Sequence, residues 1–428
     1  MNMIFPIRKL FAQIVDDDYF SILALILAVQ GTVLASQAIA ALFISIELLG
    51  AIRTFESVFA VLVLIAGFGA PALAVREFAL RENTNNHALL LRDLTLFPLV
   101  GAVLAALLSI GLILAGFKLE EGPGQVIALG LLLLISVNLT RLAAAVAQGL
   151  QSVGRVYRAA IGGACGCAVI QVLGAATGHV EGWIAGRLIG EILLLSIIVI
   201  FNRAHFPSPQ WFAKLDVRSL FTKLAQATSL NFGLIVRMAV DAAPIALLNI
   251  VASWQIALSL RGDRDLLVDI GHFGLATLAM TAAMMPLSVI SQRQQPILTA
   301  AAANDRRRLE LELRKRMIWT SIAVSIPLMA LALLVHFLSF RQISMAMLPA
   351  AALFMLVPAK SVALAQAGIL MSYGRYKAIL AVNVVELLVT IIYVLFNYEL
   401  ATKWTGVEAI AVGSVVSLFG LHLFRPHR

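Results

Sequence analysis

The chain is a succession of apolar stretches, each long enough to cross a hydrocarbon core as a helix of about 20 residues, parted by short connectors whose charge alternates. Basic residues gather after every second stretch: Arg76, Arg81 and Arg92; Arg155 and Arg158; Arg203, Lys214, Arg218 and Lys223; Arg306 to Arg316; Arg375 and Lys377. Cytoplasmic loops retain Lys and Arg, so the pattern predicts orientation as well as span number. With the N-terminus inside, 22 of the 32 basic residues fall in inner loops and tails, and only Lys118, Arg261, Arg264, Arg341 and Lys403 fall outside.

The predicted spans are Phe20–Leu42, Ile46–Phe68, Leu96–Phe117, Val126–Gln148, Ala159–Thr177 and Trp183–Phe201. A second set follows at Gln226–Ile250, Leu267–Ile290, Met317–Phe340, Ser344–Met371, Tyr376–Phe396 and Val407–Phe424. These twelve spans predict an all-α integral membrane protein with both termini in the cytoplasm, placed in the cytoplasmic (inner) membrane. The longest connector falls near the midpoint. It divides the chain into a six-helix lobe at 1–201, a cytoplasmic linker at 202–225 and a second six-helix lobe at 226–428. Leu49-Gly50 and Ile270-Gly271, each in the second span of its half, are a faint internal repeat. Equal halves with both termini inside are the layout of a parallel-repeat transporter.

Composition excludes other classes. A hydrophobic fraction of 61% against 13% charged residues leaves no room for a soluble domain. The net charge of +9 is accounted for by the inward basic bias and anionic lipid headgroups, not by nucleic acid. Arg8 and Lys9 precede an apolar run, but the run is too long for a signal core and is predicted to be a retained first span. Cys165 and Cys167 lie about 200° apart on a helix, which disfavours a mutual disulfide. No metal-ligand spacing, Walker pattern or Gly-rich phosphate loop occurs, so no cofactor and no enzymatic activity are expected.

Charged side chains inside spans are the candidates for function, since each costs at least about 2.5–3.5 kcal/mol at helix centre. The cations are Arg53, Arg141, Arg187, Arg237 and Lys360; the acids are Glu56, Glu191, Asp241 and Glu386, with Glu47 and Asp269 near outer ends. Arg53 and Glu56, Arg187 and Glu191, and Arg237 and Asp241 stand three or four apart, so each pair shares a helix face. Lys360 and Glu386 lie at nearly equal depths on either side of one inner turn, which predicts a salt bridge across that hairpin. Arg141 has no acid on spans 3 to 5. Such pairs can merely tie helices together, and Arg141 can snorkel to headgroups. Five cations on five spans fit better around a water-filled cavity that draws an anion such as a diphosphate or carboxylate. Asp241, Glu191 and Glu386 are then the candidates for ion coupling. Pro244, Pro286, Pro349 and Pro358 are fixed kinks or hinges.

Three stretches carry a family resemblance. Leu49-Gly50-Ala51 through Gly67-Phe68-Gly69-Ala70, followed by Arg76, is the first; Ala147-Gln148-Gly149-Leu150-Gln151 with Gly154-Arg155 is the second. The third is Ile270-Gly271-His272-Phe273-Gly274-Leu275-Ala276, where His272 and Phe273 depart from a shorter spacing to Tyr. Together they resemble the Wzx-type flippases, the polysaccharide-transport branch of the multidrug/oligosaccharidyl-lipid/polysaccharide (MOP) exporter superfamily. The resemblance implies a MATE-like fold of two six-helix lobes around a cationic cavity. It implies as cargo an undecaprenyl-diphosphate-linked oligosaccharide, turned between leaflets for surface polysaccharide assembly. Expected partners are that lipid-linked glycan, membrane lipids and other polysaccharide assembly proteins. A MATE-type drug/cation antiporter is the alternative, expected to favour acids in its cavity. A membrane polysaccharide polymerase or ligase would carry a larger outer loop than any here.

Overall fold

The computed structural model describes residues 31–71, 73–74, 78, 84–114, 123–149, 153–201, 203, 222, 225, 232–233, 235–237, 239–251, 263–300, 303–338, 343–373, 375–397 and 402–424. Among these, all regular structure is helical. The helices are α1 (Thr32–Ala40), α2 (Ile46–Gly67), α3 (Thr84–Leu114), α4 (Pro123–Gly149), α5 (Val153–Ala175) and α6 (Val180–Phe201), then α7 (Asp263–Ala300), α8 (Ala303–Phe337), α9 (Ile343–Ser372), α10 (Tyr376–Phe396) and α11 (Lys403–Leu423). A further helical segment at 239–251 ends the predicted seventh span. The beginning of the first span, much of the seventh and nearly all of the predicted linker lie outside the described residues.

Among the described residues, nine helices are long and apolar enough to cross a membrane, and Ala160–Ala175 adds a shorter apolar segment. Large apolar side chains such as Leu107, Leu173, Ile200, Leu334 and Phe396 point outward. In water such a surface would aggregate; against acyl chains it is solvated. With no water to satisfy the backbone in that region, helices that close their own hydrogen bonds are the fitting element. The chain is an all-α, multi-pass membrane protein.

Helix ends differ from the predicted spans mainly on the basic side. α3 begins at Thr84 rather than Leu96, α5 at Val153 rather than Ala159, and α8 at Ala303 rather than Met317; α7 runs on to Ala300 rather than Ile290. Hydropathy marks where the hydrocarbon ends, not where the helix does. Lys, Arg, Glu and Leu are good helix formers, so polar continuations stay helical in the headgroup region and beyond. One consequence is that Arg92, predicted to lie in a loop, is a buried residue of α3 paired to Asp93 at 2.8 Å.

The helices gather in two compact units. Unit 1 comprises Met1–Phe43, Leu62–Ile110 and Gly122–Asn231; unit 2 comprises Ile44–Val61, Gly111–Glu121 and Phe232–Arg428. α2 therefore contributes its first part to unit 2 and its end to unit 1.

In lipid, apolar helices gain little from hiding apolar surface, so small residues that allow close approach decide which helices pack. Unit 1 uses a ridge of Gly182, Gly186 and Gly190 on α6. A Cβ there would fall 2.5 Å from the Gly174 carbonyl oxygen, 2.7 Å from that of Ile170 and 2.5 Å from the Cys167 sulfur, all on α5. The two helices turn back on each other through residues 176–179, where Gly178 adopts a left-handed φ of 83°. A second cluster packs Leu90, Leu94 and Phe97 of α3 against Leu142 and Val146 of α4. In unit 2 the core is built from Ile270 and Phe273 of α7, Leu353, Phe354 and Val357 of α9, and Ile245 and Leu248 of the 239–251 segment. α9 stays helical through Pro349 and Pro358.

Candidate functional site

The glycine ridge of α6 also fixes the charges of unit 1. Arg187 follows Gly186 and Glu191 follows Gly190, so both sit at the tight α5–α6 contact and are only 5% and 3% exposed. α4 packs on α6, and the Thr140 hydroxyl lies 3.5 Å from the Glu191 carbonyl oxygen while donating to Ser136 at 3.0 Å. The next residue, Arg141, has the charges of Glu191 and Arg187 as its electrostatic neighbours. Its buried Nε meets no acceptor among the described residues. The acid that spans 3 to 5 could not supply comes from α6. Cys167 faces the same charges and accepts from Gln171 Nε2 at 3.1 Å. Among the described residues, the charges that bear on Arg141 are one carboxylate, Glu191, and one further guanidinium, Arg187.

Unit 2 holds a quartet. Arg237 Nη1 meets Glu386 Oε2 at 3.0 Å, and its Nη2 meets Asp241 Oδ1 at 3.3 Å. Lys360 Nζ donates to the same Asp241 oxygen at 3.3 Å. The predicted Lys360–Glu386 bridge is thus replaced by Lys360–Asp241 and Arg237–Glu386. Matching depths across the α9–α10 hairpin took no account of a third helical segment. That segment brings Arg237 and Asp241 between the two partners' charges. Glu386 is 2% exposed and fits beside Gly413 of α11, where a Cβ would lie 3.4 Å from its Cγ. Lys360 is also buried, whereas Asp241 is 43% exposed at its side chain. The four charges balance.

Arg53 forms a third constellation, also in unit 2. Its Nη2 donates to Thr277 of α7 at 3.2 Å, Glu56 lies one turn along α2, and its stem passes Gly274, where a Cβ would lie 2.6 Å from Cγ. Gly271, one turn away, would meet the Ile46 carbonyl oxygen at 2.2 Å with a Cβ. Thr140, Thr277 and the α6 glycines were absent from the predicted site. The Gly-x3-Gly-x3-Gly spacing of Gly182, Gly186 and Gly190 was legible as a helix-packing signal; the threonines carried none. Among the described residues, no group of three or more His, Cys, Asp and Glu is arranged to hold a metal.

No protein-family model and no curated protein sequence matches the chain. Solved structures do. The inward closed conformation of the lipid II flippase MurJ superposes with a TM-score of 0.66 at 13% identity, over 94% of this chain and 86% of that one. The inward-facing conformation of a multidrug resistance MATE family transporter of the MOP superfamily gives 0.65 at 14%, over 95% and 100%. The MATE multidrug transporter DinF-BH gives 0.64 at 18%, over 97% and 96%. The fold is therefore the MATE-like MOP fold expected from the sequence.

Proposed function

We propose that the protein is a secondary transporter that flips a lipid-linked, anionic oligosaccharide, carried on undecaprenyl diphosphate, across the cytoplasmic membrane for surface polysaccharide assembly. The fold suits both drug export and lipid flipping. The observation that carries the choice is the setting of Arg141 in unit 1, a half-buried arginine whose buried Nε meets no acceptor among the described residues, beside the charges of Glu191 and Arg187. A guanidinium at membrane depth is costly unless an anion or water meets it, and the forks of Arg141 and Arg187 suit phosphate oxygens. A cationic drug would be repelled by the same arrangement.

In this reading Arg141 and Arg187 hold the diphosphate, with Arg53 a further contact. Arg237 and Lys360 are held by carboxylates in the quartet and become available to cargo when a proton reaches Asp241 or Glu386, which shifts the quartet from neutral to positive. Glu191 does the same for the unit 1 pair. Proton uptake is thereby linked to anion binding, because each state favours the other. The six-helix lobes 1–201 and 226–428, joined by 202–225, are the moving parts, and other polysaccharide assembly proteins receive the product.

The test is deletion of the gene with analysis of its lipid-linked precursor. Precursor should accumulate at the inner leaflet and surface polysaccharide should be lost. Normal arrival of precursor at the outer leaflet with altered polymer length would favour a polymerase, and intact polysaccharide with sensitivity to cationic dyes would favour a drug antiporter. Orientation is tested by impermeant thiol labelling, which should reach Ser253→Cys from outside and miss Ser219→Cys.

A further inference from the structure

α8 is the least enclosed of the candidate spans, with 17% of its apolar window buried against 28–61% for the others. Its first third, Asp305 to Arg316, is strongly basic, and the structure sorts those charges onto two faces. The inner face is braced. Arg306 donates to the Leu298 carbonyl oxygen at 3.0 Å and lies 5.0 Å over the Tyr373 ring, Glu310 accepts from the Tyr373 hydroxyl at 2.8 Å, and Arg314 donates to Gln366 at 2.8 Å. Leu313 and Met317 are buried on that side. Glu312, nearer the outer face, is taken up by Arg316.

Along the outer face, beside exposed Asp305, Leu311 and Ile318, runs one line of residues. Arg308, Lys315, Trp319 and Ile326 are all exposed, Trp319 at 70%. Separations of seven, four and seven residues keep them within about 20° of one line along the helix. Arg307 is exposed beside it. Trp favours the headgroup level of a bilayer. Lys315 then stands about 6 Å further out along the axis, and helical side chains lean toward the N-terminus, which carries its ammonium into the phosphate layer. Arg308 lies about 16 Å from Trp319, roughly one Debye length beyond the phosphates, where it still feels their charge. Ile326 continues the line into the acyl region.

We propose that this stripe of α8 is a docking site for an anionic phospholipid of the surrounding bilayer. The lipid phosphate sits on Lys315, Arg308 adds attraction from the aqueous side, and Trp319 and Ile326 line the glycerol and upper acyl chain. The occupant is a bilayer phospholipid, not the transported lipid, so the inference stands apart from the transport reading. The braces to Tyr373 and Gln366 hold the basic arm in place before the lipid arrives, so little ordering is required on binding.

The experiment is intact-complex mass spectrometry of the full-length protein in detergent, titrated with phosphatidylglycerol and, separately, with phosphatidylcholine. The native protein should bind phosphatidylglycerol preferentially. Arg308→Gln with Lys315→Gln should reduce that preference roughly tenfold or more, Lys315→Gln alone should give an intermediate loss, and Arg308→Lys with Lys315→Arg should retain it. Lys377→Gln with Lys403→Gln, an equal change of charge elsewhere, should leave it intact. Equal binding of the two lipids by the native protein would overturn the proposal. So would an unchanged preference in the Arg308/Lys315 glutamine variant, or an equal loss in the Lys377/Lys403 control.

Discussion

In unit 2, Arg237 is gripped by Glu386 and Asp241, Lys360 by Asp241, and the quartet is neutral. In unit 1, Arg141 stands beside the charges of one carboxylate, Glu191, and a second guanidinium, Arg187. The residue types are the same and the helices are of similar length, yet the two arrangements ask different things of their surroundings. A balanced cluster satisfies itself and ties its helices together. A cluster with one cation in excess among the described residues favours an added anion. Under the proposed function, the contrast points to α4 and α6 first, and to the quartet only once a carboxylate there is neutralised.

The largest effect on stability should come from breaking the quartet at its centre. Arg237→Met strips the deeply buried Glu386 of its ion pair and should cost about 3–5 kcal/mol, read as a lower melting temperature in detergent. Adding Glu386→Gln should recover most of the loss. A double variant as unstable as the single would mean that the pair is not the tie described here.

Unit 1 should respond in the opposite sense. Arg141→Gln should fold normally, because its buried Nε has no acceptor to lose among the described residues, while transport falls by about 10- to 150-fold, the worth of a charge-assisted hydrogen bond of about 1.5–3 kcal/mol. Protein level and melting temperature measured beside precursor export separate the two effects. Export at the native rate would erase the distinction between the units.

The third variant tests whether the α6 ridge sets the unit 1 geometry. Gly186→Ala places a methyl 2.7 Å from the Ile170 carbonyl oxygen and should cost about 1–3 kcal/mol. Gly162→Ala, on α5 with no heavy atom within 4 Å of the added carbon, should be neutral or slightly stabilising. Equal melting temperatures would show that α5 and α6 can separate without penalty.

The smallest shift is expected for Lys360→Met. Asp241 keeps Arg237 and its side chain is 43% exposed, so the loss should be about 1 kcal/mol or less. A loss as large as that of Arg237→Met would move the centre of the quartet from Arg237 to Lys360.

Much of the fold was legible because bilayer thickness is written directly into run length: α10 spans the predicted Tyr376–Phe396, α2 ends one residue early, and α9 is longer by one residue at each end. The helical extensions were not, since Arg306 to Arg316 reads as a charged loop when only hydropathy is followed. The members of the charge clusters were legible one by one, as charges that apolar spans tolerate poorly. Their partners were not. Spacing along one helix found Arg237 with Asp241 and Arg187 beside Glu191, but the contacts of Arg237 with Glu386 and of Lys360 with Asp241 depend on which helices the glycines allow to approach. Arg141 illustrates the limit: its acid is 50 residues away on α6, reached only through packing.

The measurement that bears most directly on the central claim is flipping in proteoliposomes loaded with a fluorescent undecaprenyl-diphosphate oligosaccharide, compared with a cationic dye, for the native protein and Arg141→Gln. The native protein should flip the diphosphate lipid and leave the dye, and Arg141→Gln should lower flipping by about 10- to 150-fold while remaining folded. Transport of the dye at a rate indifferent to Arg141, with no movement of the diphosphate lipid, would contradict it.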